Sequence, residues 1–436
     1  MKYVLFIFLV FITLNATAQK LSAEEKKILA LIDKEMPGTM KLLEESVNIN
    51  SGTHNIEGVK KTGDHLRKEF DKIGFTTEWV SLPDSLKRAG HLVASIKARL
   101  NDAVGQGKKG KKLFLIGHLD TVFEPDMEPN PYKKLNDSTA TGQGVNDMKG
   151  GNMIILTALK VLYQLGYLKY ASITAYFTGD EEKAGEPAMV SRADFINRAK
   201  QADIALGFEG AQGLHTVATA RRGASEWLLT VKGKQAHSAG IFSGGYGSIY
   251  EAARIVNTFR EELSKEKYLT FNPGVFVGGS EVLYDTGKMQ GNLSGKTNII
   301  SPVTFVQGDL RFLTEVQKNN ARERMRKITT TNNLAATGAQ ITFEDGIPSM
   351  EPTAGNNALV EILNKVSTDM GLGTTKAGDP GSRGAGDISY VAKYVDCLDG
   401  LGASGRGAHA PGEIINLKEY PILLKRAALF IYRLTR

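Results

Sequence analysis

Three of the seven histidines, His118, His237 and His409, sit in polar segments flanked by Gly or Ser, and several carboxylates follow apolar runs in the same way. In LFLIGHLDTVF an apolar run ends on His118, with Asp120 two residues on. An imidazole is a common zinc ligand, and a nearby carboxylate can hold its far ring nitrogen and fix the tautomer. Polar residues also end many strands without any such role. GVNDMKGG places Asp147 just before an apolar helical run. There it reads either as a helix N-cap or as a carboxylate offering one oxygen to each of two cations. FTGDEEKAG sets Asp180, Glu181 and Glu182 in a row. That is either a solvated acidic loop or, because like charges beside an apolar strand are costly, a set compensated by a dication, with one carboxylate left free to move a proton. GFEGAQG ends a further run at Glu209, and GRGAHAPGE puts His409 among glycines, which let a backbone approach an ion closely. Together these are His, Asp, Glu, Glu and His at the ends of successive elements. Five ligands suffice for two metals that share one bridge and each keep an open position. A nitrogen and oxygen set without thiolate suits zinc, with manganese or cobalt as substitutes.

The elements that must carry these groups are read from hydrophobic period. Ala23 to Asn48 and Asn55 to Ile73 repeat apolar residues at helical spacing. From His91 onward, short apolar runs alternate with helical stretches. HLVASIKARL, KKLFLIG, ASITAYFTG and ADIALGF read as strands, and MKGGNMIILTALKVLYQLG as a buried helix. That alternation predicts an α/β sheet with helices on both faces, and in such sheets ligands bind beyond the carboxyl ends of the strands. The stretch 222–346 differs. EWLLTVKG, GVFVGG, two strands within KTNIISPVTFVQGDLRFL, and AQITFED are expected around helices at Ser248 to Leu263 and Glu315 to Thr330. This is a compact α+β insert, after which helices return at Asn357 to Met370 and Leu417 to about Leu434.

Bulk properties narrow the class. With 436 residues, 42% hydrophobic and 23% charged, the chain is globular rather than disordered, and two domains are expected. Residues 1–18 combine Lys2, an apolar run from Tyr3 to Leu14 and a small-x-small site at Ala16-Thr17-Ala18. This reads as a cleaved secretory signal, predicting a secreted or periplasmic protein with no membrane attachment afterwards. Cys397 is the only cysteine, so no internal disulfide forms, and its setting offers no partner histidine for a nucleophile. The formal charge of +7 is scattered among acids, as in RERMRK, which describes solvated helix faces rather than a nucleic-acid stripe.

In order and number, GHLDTV, GVNDMKGG and GDEE resemble the motifs of a family of two-zinc metallopeptidases. That family includes glutamate carboxypeptidase, acetylornithine and succinyl-diaminopimelate deacylases, aminoacylase and carnosinase. The resemblance implies a zinc-exopeptidase-like catalytic domain at 19–221 and 347–436, and a ferredoxin-like lid and dimerisation domain at 222–346. It implies that His118 and Glu182 bind one metal, that Glu209 and His409 complete the other, and that Asp147 bridges, although sequence does not decide which metal takes which ligands. Glu181 matches the family's general base, and Asp120 the carboxylate behind the first histidine. KQAHSAG, with His237, resembles a histidine lent across a homodimer to the partner's active site. TNIISP, with Asn298, and GDLRF, with Arg311, resemble the substrate-binding Asn and carboxylate-binding Arg. A Glu at the position of Glu209 goes with carboxypeptidases and deacylases in that family. The chain departs in one loop: GDPGSRGAGDISY stands where the family often has Gly-Gly-Ser/Thr-Asp-Ala, so Asp387 matches but Arg383 intrudes. The expected activity is cleavage of an amide next to a C-terminal amino acid. The alternatives are an N-acyl-amino-acid deacylase and a catalytically silent metal- or peptide-binding protein.

Overall fold

The structure, a computed structural model, describes residues 21–98 and 110–436. The segment 1–18 read as a signal, and most of the Gly- and Lys-rich stretch before Leu113, lie outside the described residues. Among the described residues no helix is long and apolar enough to cross a membrane.

The fold is α/β with an inserted α+β unit. Its main sheet has six strands in the order Thr76–Val80, His91–Ile96, Ile173–Thr178, Leu113–His118, Ile204–Gly207, Asp396–Leu398. The last four run parallel and the first two join antiparallel at one edge. Leu113–His118 is central and buried along its whole length, as expected of a parallel strand covered on both faces. Alternate side chains enter two separate cores. Leu113, Leu115, Ala175, Phe177 and Leu206 meet the helices Gly150–Gln164 and Tyr420–Leu434. Phe114, Ile116, Tyr176 and Ala205 meet Phe195, Met350, Ile388 and Cys397 on the other face. Cys397 is buried there, and burial pushes its thiol well above the usual range; it is a small hydrophobe, as its sequence setting suggests.

The insert folds as strand, helix, two strands, helix, strand. Its antiparallel sheet runs Thr270–Gly279, Val303–Phe312, Gly223–Gly233, Thr337–Asp345. Helices Gly247–Leu263 and Glu315–Thr330 cover one face, around Trp227, Leu229, Phe259, Leu310 and Met325. The structure corrects one expectation in this unit. KTNIISPVTFVQGDLRFL holds a single long strand, Val303–Phe312, not two. The TNIIS portion is a turn whose Ile299 bridges His237, and Pro302 removes a ladder donor at the junction. A hairpin of Glu281–Asp285 and Gln290–Ser294, not foreseen, precedes it. The two crossings between the units run side by side, with Arg221 bridged to Met350.

A further small sheet lies against the main body. Its strands, in the order Gly405–Arg406, Ile414–Asn416, Thr139–Thr141, Lys133–Lys134, are two or three residues each. It sets the hairpin that carries His409 beside the segment that leads to Asp147.

Candidate metal centre

Each element delivers one group to the carboxyl end of the main sheet. His118 closes the central strand, its side chain only 1% exposed. Its backbone carbonyl accepts from Asn152 Nδ2 at 2.6 Å. Glu181 and Glu182 follow the neighbouring strand Ile173–Thr178, and Glu209 follows Ile204–Gly207 on the other side. Asp147 lies in an irregular turn, with φ −115° and ψ 92°, three residues before the helix that begins at Gly150. That helix has no side-chain cap bond, so the N-cap alternative for Asp147 does not hold. His409 takes φ 65°, between Gly407 and Gly412, which are also at positive φ. A side chain rarely adopts that conformation, and the glycines on either side let the hairpin turn tightly enough to aim the ring inward.

The distances sort the ligands into two groups with one shared member. Asp147 Oδ1 lies 3.3 Å from His118 Nε2, and its Oδ2 lies 3.0 Å from His409 Nε2. Glu209 Oε1 is 3.7 Å from the His118 ring nitrogen, and Glu182 Oε2 is 3.2 Å from that of His409. His118, Asp147 and Glu209 thus form one candidate metal group, and Asp147, Glu182 and His409 the other. The division that sequence leaves open thus falls differently from the one the resemblance suggests, with His118 beside Glu209 and His409 beside Glu182.

The chemistry of the cluster fits cations. Burial pushes Glu182 up to about 10, with Asp147 and Glu181 adding like charge against the opposing pull of His118. Burial and the Asp147 charge push Glu209 up to about 7. Asp147 is buried too, yet its bonds to His118 and His409 hold it well below the ordinary carboxylate range. Three largely buried carboxylates this close cannot all ionise cheaply without positive charge between them, which two dications would supply.

Of the acidic run, each member has a separate fate. Asp180 turns away to a buried pair with Arg192 Nη1 at 2.5 Å and accepts from Ser191 Oγ at 2.7 Å. Glu182 joins the second metal group. Glu181 belongs to neither group, while burial and the Glu209 charge raise its carboxyl well above the usual range. Asp120 lies behind the His118 ring and has further partners. Its carboxylate lies 3.6 Å from His118 Nδ1, which instead sits 3.0 Å from the Asp120 carbonyl oxygen. The carboxylate accepts the amides of Glu181 at 3.0 Å and Glu182 at 3.1 Å, and Thr53 Oγ1 at 2.7 Å. It therefore holds the turn that presents both glutamates. Asp387 accepts from Thr178 Oγ1 and Arg192 Nε, within the buried ion network under that turn.

Sequence reasoning missed Glu413. This fully buried carboxylate accepts the amides of Asn146 at 2.7 Å, Asp147 at 2.8 Å and Gly144 at 3.2 Å. Burial pushes it up to about 7 against the pull of those amides. Its one sequence signal is a position four residues after His409 on the same hairpin.

The lid residues stand apart. His237 Nδ1 accepts from the Ala239 amide at 3.2 Å, and the Ser238 amide donates to the Asn298 carbonyl at 2.9 Å, so His237 and Asn298 share one end of the lid sheet. Arg311 lies at the other end, paired with Asp309 at 2.9 Å. Among the described residues, no hydrogen bond or ion pair joins any of the three to the metal-group side chains.

Comparison with known proteins is consistent with this arrangement. Residues 114–433 match Peptidase family M20/M25/M40. Carboxypeptidase G2 of Pseudomonas sp. (strain RS-16) is 27% identical over 424 residues, covering 97% of this chain and 94% of that protein. Succinyl-diaminopimelate desuccinylase of Cupriavidus taiwanensis is 27% identical over 312 residues, covering 69% and 75%. A Staphylococcus aureus tripeptidase shares the fold, with a TM-score of 0.72 at 18% identity over 91% of this chain and 98% of that one.

Proposed function

This chain belongs to Peptidase family M20/M25/M40 and is a metallohydrolase, and from that premise we propose that it is a secreted, homodimeric two-zinc carboxypeptidase. It cleaves the amide bond that precedes a C-terminal amino acid in a small peptide. The observation that carries the proposal is the placement of Asp147, whose two oxygens face His118 and His409 in two separate ligand groups.

In this reading His118, Asp147 and Glu209 hold one zinc ion, and Asp147, Glu182 and His409 the other; manganese or cobalt can substitute. When bound, the cations polarise the scissile carbonyl and make a water acidic enough to lose a proton near neutral pH. Glu181, outside both groups, takes that proton and passes it to the departing amine. Asp120 positions Glu181 through its amide. His237 donates to the developing oxyanion, Asn298 contacts the substrate beside it, and Arg311 holds the substrate carboxylate from the lid. The length of the lid sheet between His237 and Arg311 supports a role for His237 in the partner's site. The signal-like pattern of 1–18 supports secretion, and the amino-terminal residue of the mature protein tests it.

The name of the carboxypeptidase relative favours peptide substrates, and that of the desuccinylase relative favours a second reading, deacylation of N-acyl amino acids. A substrate panel with zinc present separates them. Turnover of peptides with a free C-terminus, abolished by chelation and restored by zinc, is the expected result. Faster turnover of N-acetyl and N-succinyl amino acids than of every peptide moves the assignment to deacylase. Two bound metals with no turnover on any amide move it to a silent binding protein.

A further inference from the structure

Almost every charge around the metal cluster is answered by another group. Arg192 answers Asp180 and Asp387, and Arg221 answers Asp399 at 2.6 Å. Three amides answer Glu413. Arg383 differs. Its Nη2 donates to the Gly210 carbonyl at 2.5 Å, its Nε is buried without a hydrogen-bond partner, and no carboxylate pairs with it among the described residues.

This side chain is held on a rigid platform. Arg221 Nε and Nη2 grip the next two carbonyls of its loop, Gly384 at 2.7 Å and Ala385 at 3.0 Å. The guanidinium packs on Gly400, where an added Cβ would meet Nη2 at 2.7 Å. Gly210 directly follows Glu209, so the guanidinium stands on the Glu209 side of the cluster, where its charge couples first to Asp399 and then to Glu209 and Asp147. Glu209 and Asp147 are committed to the proposed cations, and Asp399 to Arg221. A partly buried cation without a paired carboxylate favours an external anion, and a guanidinium suits a carboxylate. The lid arginine differs in this respect, because Arg311 already holds Asp309.

We infer that Arg383 is a carboxylate-docking group in the catalytic body, receiving the free C-terminal carboxylate of the amino acid that departs on cleavage before Arg311 joins it from the lid. The inference rests on the amide-cleaving reading above. It places carboxylate recognition on a fixed loop beside Glu209, before any movement of the lid, and makes the departure of GDPGSRGAGDISY from the family pattern a specificity feature.

The test compares zinc-loaded wild type, Arg383→Gln and Arg383→Lys on one peptide as its free acid and its C-terminal carboxamide. Gln keeps an N–H for the Gly210 carbonyl but loses the charge, whereas Lys keeps the charge without the guanidinium. Wild type should prefer the acid. Arg383→Gln should shrink the acid-to-amide ratio of kcat/KM by roughly tenfold or more, through KM, with Lys intermediate. An unchanged ratio in the Gln variant, or an equal fall for acid and amide, overturns the inference and leaves Arg383 a pin for the Gly210 loop. Calorimetry in a Glu181→Gln background reads docking without turnover. There Arg383→Gln and Arg383→Lys should weaken binding of an N-acetyl amino acid, the Gln variant by roughly tenfold or more; undiminished binding by both rejects the docking role. If wild type cleaves no amide, the proposed reaction fails while this binding difference still decides the role of Arg383.

Discussion

Glu413 holds Asp147 by its backbone: Oε1 of the glutamate accepts the Asp147 amide at 2.8 Å and the Asn146 amide at 2.7 Å. The acceptor lies four residues after His409, so one hairpin presents a histidine to Asp147 and fixes the backbone that carries it. Glu413→Gln replaces one accepting oxygen with a donor facing an N–H. A loss of about 1–3 kcal/mol of stability is expected, with metal affinity down roughly 10- to 100-fold, as for groups that orient ligands. Thermal melts and metal titration measure both. Wild-type affinity in the Gln variant would show that the contact supports folding alone.

The two ligand groups predict a pattern of metal loss. His118 and Glu209 serve the same cation, so removing both should cost one metal per chain and leave the Glu182 and His409 site occupied. Removing His118 and Glu182 together should empty both sites, as should Asp147→Ala alone. Metal analysis after dialysis reads the stoichiometry. If the double variant of His118 and Glu182 keeps one metal, the pairing derived from the distances is wrong.

Much of this centre is legible in the sequence, because the strands ending near His118, Glu181 and Glu209 have unmistakable apolar runs and the residue after such a strand must emerge at the sheet's end. The pairing is not legible there. The strands leading to Glu182 and to Glu209 both neighbour the His118 strand, so the pairing depends on where the side chains turn beyond the sheet, and on a hairpin whose strands, Gly405–Arg406 and Ile414–Asn416, are too short to show alternation. Glu413 is hidden for the same reason, since its partners lie some 266 positions away. The spacing of Asp120 from His118 suggests a contact with the ring, which the fold makes at 3.6 Å, but not the two nearer amides of Glu181 and Glu182. Asp309 and Arg311 could have been paired from sequence, as alternate residues of one strand share a face.

Stability should depend on pH at a point far from the metals. Glu25 closes a capping box with Ser22 at the start of the helix Ala23–Val47 and pairs with Arg433 Nε at 2.7 Å on the last helix. Burial alone would raise its carboxyl, but the bonds from Arg433 and Ser22 outweigh it and hold the group below its ordinary value. A depressed folded-state value means the stabilisation is present above the unfolded value and is lost as pH falls through the folded one. Glu25→Gln should therefore be less stable than wild type at neutral pH, with the gap closing in the acid range. Urea melts across pH measure it; a gap that does not change with pH would show that the ion pair contributes nothing through ionisation.

The lid sheet bears on whether His237 serves its own chain. Arg311 pairs with Ala224, beside the crossing at Arg221 that joins lid to body. Val303, eight positions earlier on the same strand, pairs with Lys232 at the opposite end, and His237 and Asn298 lie beyond it. At about 3.4 Å per residue that separates the two ends by about 27 Å, too far for His237 and Arg311 of one chain to grip one small substrate. With Arg311 nearer its own body, the proposed dimer would give His237 to the partner's site. Mixing His237→Ala with Glu181→Gln chains tests this. In a hybrid, trans action restores one complete site, with Glu181 from one chain and His237 from the other, whereas cis action leaves both sites broken. Activity should therefore appear in purified hybrids and be absent from either parent. Inactive hybrids that carry a full complement of metal would reject the trans role and return His237 to the surface of its own lid.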